Sequence, residues 1–230
     1  MNVQGYQKMT LLDYPTKVAC TIFTGGCNLR CPFCHNASLV NHPSENENAE
    51  SEVLAYLEKR RGILDGVCIT GGEPLLQPDL IDFIRKVKDL GLSVKLDTNG
   101  TLPDRLKTLI ESGMLDYIAM DVKSSPEGYE KAVGVKIDVA LIEKSIKLIK
   151  ESGIAHEFRT TVVKGIHEKE DFEGIARLVS DSPYFLQGFI DSGNLIGDGC
   201  EAFSPEEMQE ILNIAKNSAP LATLRGQEEI

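Results

Sequence analysis

The sequence predicts an α/β fold: an incomplete TIM-type barrel of about six βα units built on a parallel sheet. Three observations carry this expectation. Strand-like and helix-like segments alternate along the chain, and the strand-like segments read as continuously apolar, as in a sheet covered by helices. Motifs rich in Cys, Gly, Asp and Lys recur at the C-terminal ends of consecutive strands, where α/β folds keep their sites. Six units instead of eight imply a splayed barrel able to admit a large substrate; a doubly wound sheet is the alternative.

"KVACTIF" (17–23) is the first strand and leads into "GGCNLRCPFCHNAS" (25–38). The polar "NHPSENENAES" (41–51) reads as a loop before the amphipathic "EVLAYLEKRRGIL". "GVCIT" (66–70) precedes "GGEP" and the helix "PDLIDFIRKVKDLG", with Pro78 suited to its first turn and Gly91 to its end. "SVKLDTNG" leads to a helix over 103–112, and "YIAMDVK" (117–123) to a loop and a helix over 138–152. "HEFRTTVV" (156–163) precedes a helix over 168–180. "YFLQGFI" (184–190) precedes a helix over 204–217, where Ser204-Pro205-Glu206-Glu207 supplies a cap and an acidic first turn. "LATLRG" reads as a short terminal strand. With no linker or low-complexity tract, residues 1–230 are expected to form a single domain.

Composition narrows the function classes. The chain has 42% hydrophobic and 26% charged residues, as an ordinary cytoplasmic protein does. Its 24 basic and 35 acidic residues give a formal charge of −11, which argues against nucleic acid as a partner. "EKRRG" (58–62) reads as the solvated end of a helix. The N-terminus lacks the apolar core of a signal peptide, and no apolar run approaches the ~20 residues of a membrane span.

Six cysteines in a reducing compartment, three of them bunched as Cys-x3-Cys-x2-Cys, suggest a metal site before disulfides. Cys27, Cys31 and Cys34 can bind three irons of a [4Fe–4S] cluster and leave the fourth without a protein ligand. The alternative is zinc completed by His35 or by a distant residue, although the adjacency of His35 to Cys34 makes simultaneous ligation awkward. Cys20 and Cys68 read as small buried hydrophobes, and Cys200 carries no signal. Taken singly, "GGEP", "DTNG" and "DVK" are a turn, a tight turn and an ion-paired strand end. Converging on one mouth, they suggest a ligand with an amine, a carboxylate and a ribose.

The order of these motifs resembles the radical S-adenosylmethionine superfamily, closely over residues 11–125. "LLDYPTKVACTIFTGGCNLRCPFCHN" further resembles the activating enzymes of glycyl radical enzymes, most of all the activators of anaerobic ribonucleoside-triphosphate reductase. The resemblance implies a [4Fe–4S] cluster on Cys27, Cys31 and Cys34, whose vacant iron takes the amino and carboxylate groups of S-adenosylmethionine. Reductive cleavage would then give methionine and a deoxyadenosyl radical, which abstracts a hydrogen from a glycine of the partner. It implies Glu73 and the Gly72 backbone at the methionyl amine, Lys123 at the carboxylate, Asp97 and Thr98 near the cofactor, and Phe33 by the adenine. It also implies a monovalent cation framed by Asp97, Thr98 and Asp121, and an inward-pointing Arg159 on the fifth predicted strand.

The implied partners are a glycyl radical enzyme, anaerobic ribonucleotide reductase first, and a flavodoxin or ferredoxin as electron donor. Pyruvate formate-lyase is the alternative partner, and a radical synthase of small molecules the alternative enzyme. An electron-transfer module would leave Glu73, Asp97 and Lys123 without a role. Formate-lyase activators place a histidine after the sixth strand, where this chain has "FIDSGN".

Overall fold

The computed structural model describes residues 1–41, 43–44 and 49–226. The centre of the expected 41–51 loop therefore lies outside the described residues. The elements are β1 (Val3–Thr10), β2 (Ala19–Thr24), α1 (Ala37–Asn41), α2 (Ala49–Lys59), β3 (Gly66–Gly71), α3 (Leu80–Asp89), β4 (Ser93–Thr98) and α4 (Pro103–Glu111). They continue as β5 (Tyr117–Asp121), α5 (Tyr129–Val133), α6 (Val139–Glu151), β6 (Ala155–Val162), α7 (Asp171–Val179), β7 (Tyr184–Gly188), α8 (Pro205–Lys216) and β8 (Ala222–Arg225).

Eight strands form one sheet in strict chain order, β1 to β8. From β2 onward every pairing is parallel, and the β1 and β8 edges do not close on each other. The six expected βα units run from β2 to α8, so the partial barrel is the observed architecture. β1, antiparallel to β2, is an addition. Its segment "VQGYQKMT" buries only Val3 and Thr10, so no apolar periodicity announces it. Pro78 precedes the Asp79 N-cap of α3 instead of entering the helix. The expected cap of α8 is present as a capping box, with Ser204 and Glu207 each bonding the other's backbone N–H.

One expectation about the strands needs correction. β2 and β3 are buried on both faces, as parallel strands under helices should be. β4 and β6 instead alternate. Residues two apart share a face, and Lys95 and Asp97 on β4 meet Glu157 and Arg159 on β6. Tyr117 on β5 and Arg225 on β8 both bond Glu157 from the same face. One face of this sheet is thus a column of paired charges leading toward the C-terminal ends of the strands. Lys95 and Glu157 are each 1% exposed, and their ion pairs explain how such groups stay buried. No helix among the described residues is long and apolar enough to cross a membrane.

Candidate functional site

The loops leaving β2, β3, β4 and β5 meet over a cavity of ≈ 190 Å³. Cys27, Cys31, Cys34, Phe33, Gly72, Asp97, Thr98, Asp121 and Lys123 all line it. The fold thus brings together the residues singled out in four separate motifs, with two exceptions: Glu73 and Arg159 act from behind the wall.

The cysteine loop is pinned on several sides. Gly26 N–H donates to the Leu39 carbonyl on α1 at 2.8 Å, and Arg30 N–H to the Val133 carbonyl at the end of α5 at 2.9 Å. Gly197 N–H donates to the Pro32 carbonyl at 2.9 Å. The Arg30 guanidinium folds back on the Cys27 and Leu29 carbonyls at 2.7 and 2.8 Å. All six cysteines are free. Burial pushes the Cys31 thiol up to about 11 and raises that of Cys27, while Lys123 opposes the shift in both. The His35 ring stacks on Phe189 at 5.6 Å. Phe33 is buried, with the Lys123 ammonium 5.9 Å from its ring centre and the His167 ring 6.3 Å away.

The glycines of "GGEP" have a different use from the one their sequence suggests. Gly72 N–H donates to the Thr24 carbonyl and Glu73 N–H to the Gly26 carbonyl, at 2.9 and 2.8 Å. A Cβ on Gly72 would lie 1.9 Å from the Gly26 oxygen. At Gly71, where φ is +113°, it would lie 2.4 Å from the Thr24 nitrogen. These glycines let the β3 exit lie directly on the cysteine loop, backbone to backbone.

Glu73 is fully buried and does not reach the cavity lining. Its Oε1 accepts from Leu75 N–H at 3.0 Å and from the Thr98 hydroxyl at 2.8 Å, and its Oε2 from Asn99 N–H at 2.7 Å. Burial pushes its carboxyl up to about 7 against these three donors. It buttresses the β4 exit and backs the cavity from behind.

The residues expected around a monovalent cation are tied to cationic side chains of the protein. Asp97 and Asp121 lie side by side, but the Arg159 guanidinium bridges them, Nε to Asp121 at 2.8 Å and Nη1 to Asp97 at 3.1 Å. Lys95 holds the other oxygen of Asp97, and Lys123 holds Asp121 at 3.0 Å. The Thr98 hydroxyl faces Glu73. The two carboxylates thus have cationic partners from the protein itself. Burial opposes ionisation of both, yet Arg159 first, with Lys95 or Lys123, keeps Asp97 and Asp121 below the usual carboxylate range. Five charges alternate as Lys95, Asp97, Arg159, Asp121 and Lys123. With Glu157 beside Arg159 and Arg225 on Glu157, the network holds four cations and three carboxylates, and Lys123 is the cation of it that lines the cavity.

Several contributors were missed. His167 accepts from Val163 N–H at its Nδ1 (3.1 Å), which leaves Nε2–H to donate to the Lys123 carbonyl at 2.7 Å. This neutral ring fixes the backbone beneath the cavity's ammonium. Thr161 lines the cavity from the middle of "HEFRTTVV", two residues beyond Arg159 on the same face. Asn99 ties the β4 loop to the cysteine loop, with its amide on Asn28 at 3.0 Å and on the Cys27 sulfur at 3.8 Å. Only "DTNG" itself hinted at Asn99, and as a turn residue.

Residues 21–179 match the family model of the radical SAM superfamily. A Methanocaldococcus jannaschii protein whose name assigns it to glycyl-radical enzyme activation is 34% identical over 99% of this chain and 98% of its own. The pyruvate formate-lyase-activating enzyme of Clostridium pasteurianum is 26% identical over 78% of this chain and 76% of its own. Among solved structures, a domain of the Bacteroides vulgatus pyruvate-formate lyase-activating enzyme superposes with TM-score 0.57 at 22% identity, over 70% of this chain and 99% of that one. A radical SAM methyltransferase from Sphaerobacter thermophilus gives TM-score 0.71 at 15% identity, over 96% and 69%. These last two likenesses concern the fold alone.

Proposed function

Because the chain belongs to the radical SAM superfamily, we propose that it is an activase that generates a glycyl radical on a partner enzyme, anaerobic ribonucleoside-triphosphate reductase first. The observation that carries this reading is the joining of Cys27, Cys31, Cys34 and Lys123 on one cavity at the C-terminal ends of the strands. The family implies a [4Fe–4S] cluster and S-adenosylmethionine. The residues fit both: three free thiols share one wall, His35 is stacked on Phe189, and Cys20 and Cys68 are fully buried in strands.

When bound, the reduced cluster supplies the electron that splits the cofactor's sulfonium and so creates the hydrogen-abstracting species. The protein's task is to bind, orient and exclude water. Cys27, Cys31 and Cys34 would hold three irons. Lys123, with its charge surplus, would take the cofactor's carboxylate. Glu73 would act on the ammonium from behind the Gly72 backbone, and Phe33 offers an apolar face for the adenine. Asp97 and Thr98 would shape the wall, with Arg159 holding Asp97. All six cysteines being free supports a reducing, cytoplasmic setting, with a flavodoxin- or ferredoxin-like donor.

The test is to mix the anaerobically reduced protein and S-adenosylmethionine with purified glycyl radical enzymes and record electron paramagnetic resonance. A glycyl radical on the ribonucleotide reductase is expected. A signal only on a formate-lyase would reassign the partner. Cofactor cleavage without any glycyl signal would overturn the activase reading.

A further inference from the structure

We propose that Asn99 is a positioning residue that sets the electron affinity of the cluster through the sulfur of Cys27; this rests on the cluster reading above. The Cys27 sulfur accepts from two fixed donors, Leu29 N–H at 3.4 Å and the Asn99 amide at 3.8 Å. Among the described residues, neither Cys31 nor Cys34 receives a hydrogen bond at sulfur.

The Asn99 amide cannot turn over. Thr101 N–H, which can only donate, meets Asn99 Oδ1 at 3.0 Å, so the amide nitrogen must face Asn28 and Cys27. The Thr101 hydroxyl donates to the same Oδ1 at 2.6 Å, and Asn28 Nδ2 donates to that hydroxyl at 2.7 Å. Asn99 Nδ2 closes the ring on Asn28 Oδ1 at 3.0 Å. The backbone of Asn99 is itself anchored to Glu73. Asn99 and Thr101 are 6% and 5% exposed, so the Asn99–Thr101 half of the ring is sheltered from water, while Asn28 closes it from the surface.

The physics is direct. Reduction adds negative charge to a cluster and to its ligand sulfurs, and a fixed N–H dipole stabilises the reduced form more than the oxidised one. Asn99 therefore raises the reduction potential, and it does so on one ligand of three. Asn99 directly follows Asp97 and Thr98 at the end of β4, so the donor to the cluster's ligand and the residues assigned to the cofactor leave the sheet together.

Wild type, Asn99→Leu, Asn99→Asp and Thr101→Val would be reconstituted anaerobically, checked for iron and sulfide, and titrated potentiometrically by electron paramagnetic resonance without S-adenosylmethionine. Both Asn99 variants should keep the cluster and shift to a more negative potential, with the reduced fraction at a fixed potential falling several-fold. Thr101→Val, which keeps the backbone N–H on Asn99 Oδ1 and removes only the hydroxyl's bonds to Asn99 and Asn28, should shift least, in the same direction. A full cluster in Asn99→Leu at the wild-type potential would overturn the inference while leaving the cluster reading intact. If Asn99→Leu loses the cluster, an unchanged potential in Asn99→Asp, which removes the same N–H donor, overturns it. A wild type that takes up no iron and sulfide would instead defeat the cluster reading itself.

Discussion

Arg159 donates to Asp121 at 2.8 Å across the β5–β6 boundary, and its other arm reaches Asp97. The side chain stands where a small cation would balance the two carboxylates. Arg159→Ala is expected to lower stability by at most about 3–5 kcal/mol, reduced by the partial exposure of Asp121. Cofactor affinity of the wild type should be equal in potassium and tetramethylammonium buffers, and only the variant should come to need potassium. Denaturant unfolding and anaerobic titration in the two buffers check both statements. A potassium requirement in the wild type would show that the carboxylates keep a place for an ion.

Lys123 pairs with Asp121 yet also lines the cavity. A charge-assisted contact to the cofactor's carboxylate is worth ~1.5–3 kcal/mol, roughly ten- to a hundredfold in affinity. Lys123→Met should weaken S-adenosylmethionine binding by about that factor with cluster absorbance intact. If Lys123 served only Asp121, the variant would lose a little stability and no affinity.

Glu73 predicts a pH dependence. Its carboxyl is raised from 4.5 to about 7 on folding, chiefly by burial. A carboxyl raised in this way adds stability in full below its unfolded value, and this is lost as pH rises through about 7. The cofactor-free protein should therefore become less stable from about pH 5 to about pH 8 through this group, and Glu73→Gln should flatten that part of the profile. An ammonium nearby favours the ionised form, so cofactor affinity should rise several-fold as pH rises through about 7. Affinity that is flat in the wild type would remove Glu73 from the amine contact.

Cys27→Ala, Cys31→Ala and Cys34→Ala should each lose the cluster, since two thiolates cannot hold the cubane. Cys20→Ala and Cys68→Ala, whose sulfurs are fully buried in β2 and β3, should keep it and cost about 1 kcal/mol of packing. Iron and sulfide counts after anaerobic reconstitution decide. Cluster loss from Cys20→Ala with retention by Cys31→Ala would reverse the ligand assignment.

The parts legible from sequence are those whose signal is local. Strands such as "GVCIT" are apolar throughout because both faces are covered, and the cysteine spacing is a short-range pattern on one loop. β1 was illegible because an edge strand with three exposed residues in a row needs no apolar alternation. The Arg159 clamp joins residues 38 and 62 positions apart, and nothing near "HEFRTT" names its partners. Glu73 was legible by its loop and not by its hydrogen-bond partners. A carboxylate read as a ligand contact is spent largely on Leu75, Thr98 and Asn99, which only the fold brings to it.

The pins on the cysteine loop have a bearing on how the protein is made. Each strand pairs with its neighbour in the chain, so the sheet can grow strand by strand as the polypeptide leaves the ribosome. Two of the bonds that shape the cysteine loop nevertheless come from the Val133 carbonyl and from Gly197 N–H, 103 and 165 positions further along than the residues they hold, Arg30 and Pro32. The shape of the cysteine loop is thus tied to the folding of the segments after β5 and β7, and a substitution that loosens either segment is expected to loosen the thiols with it.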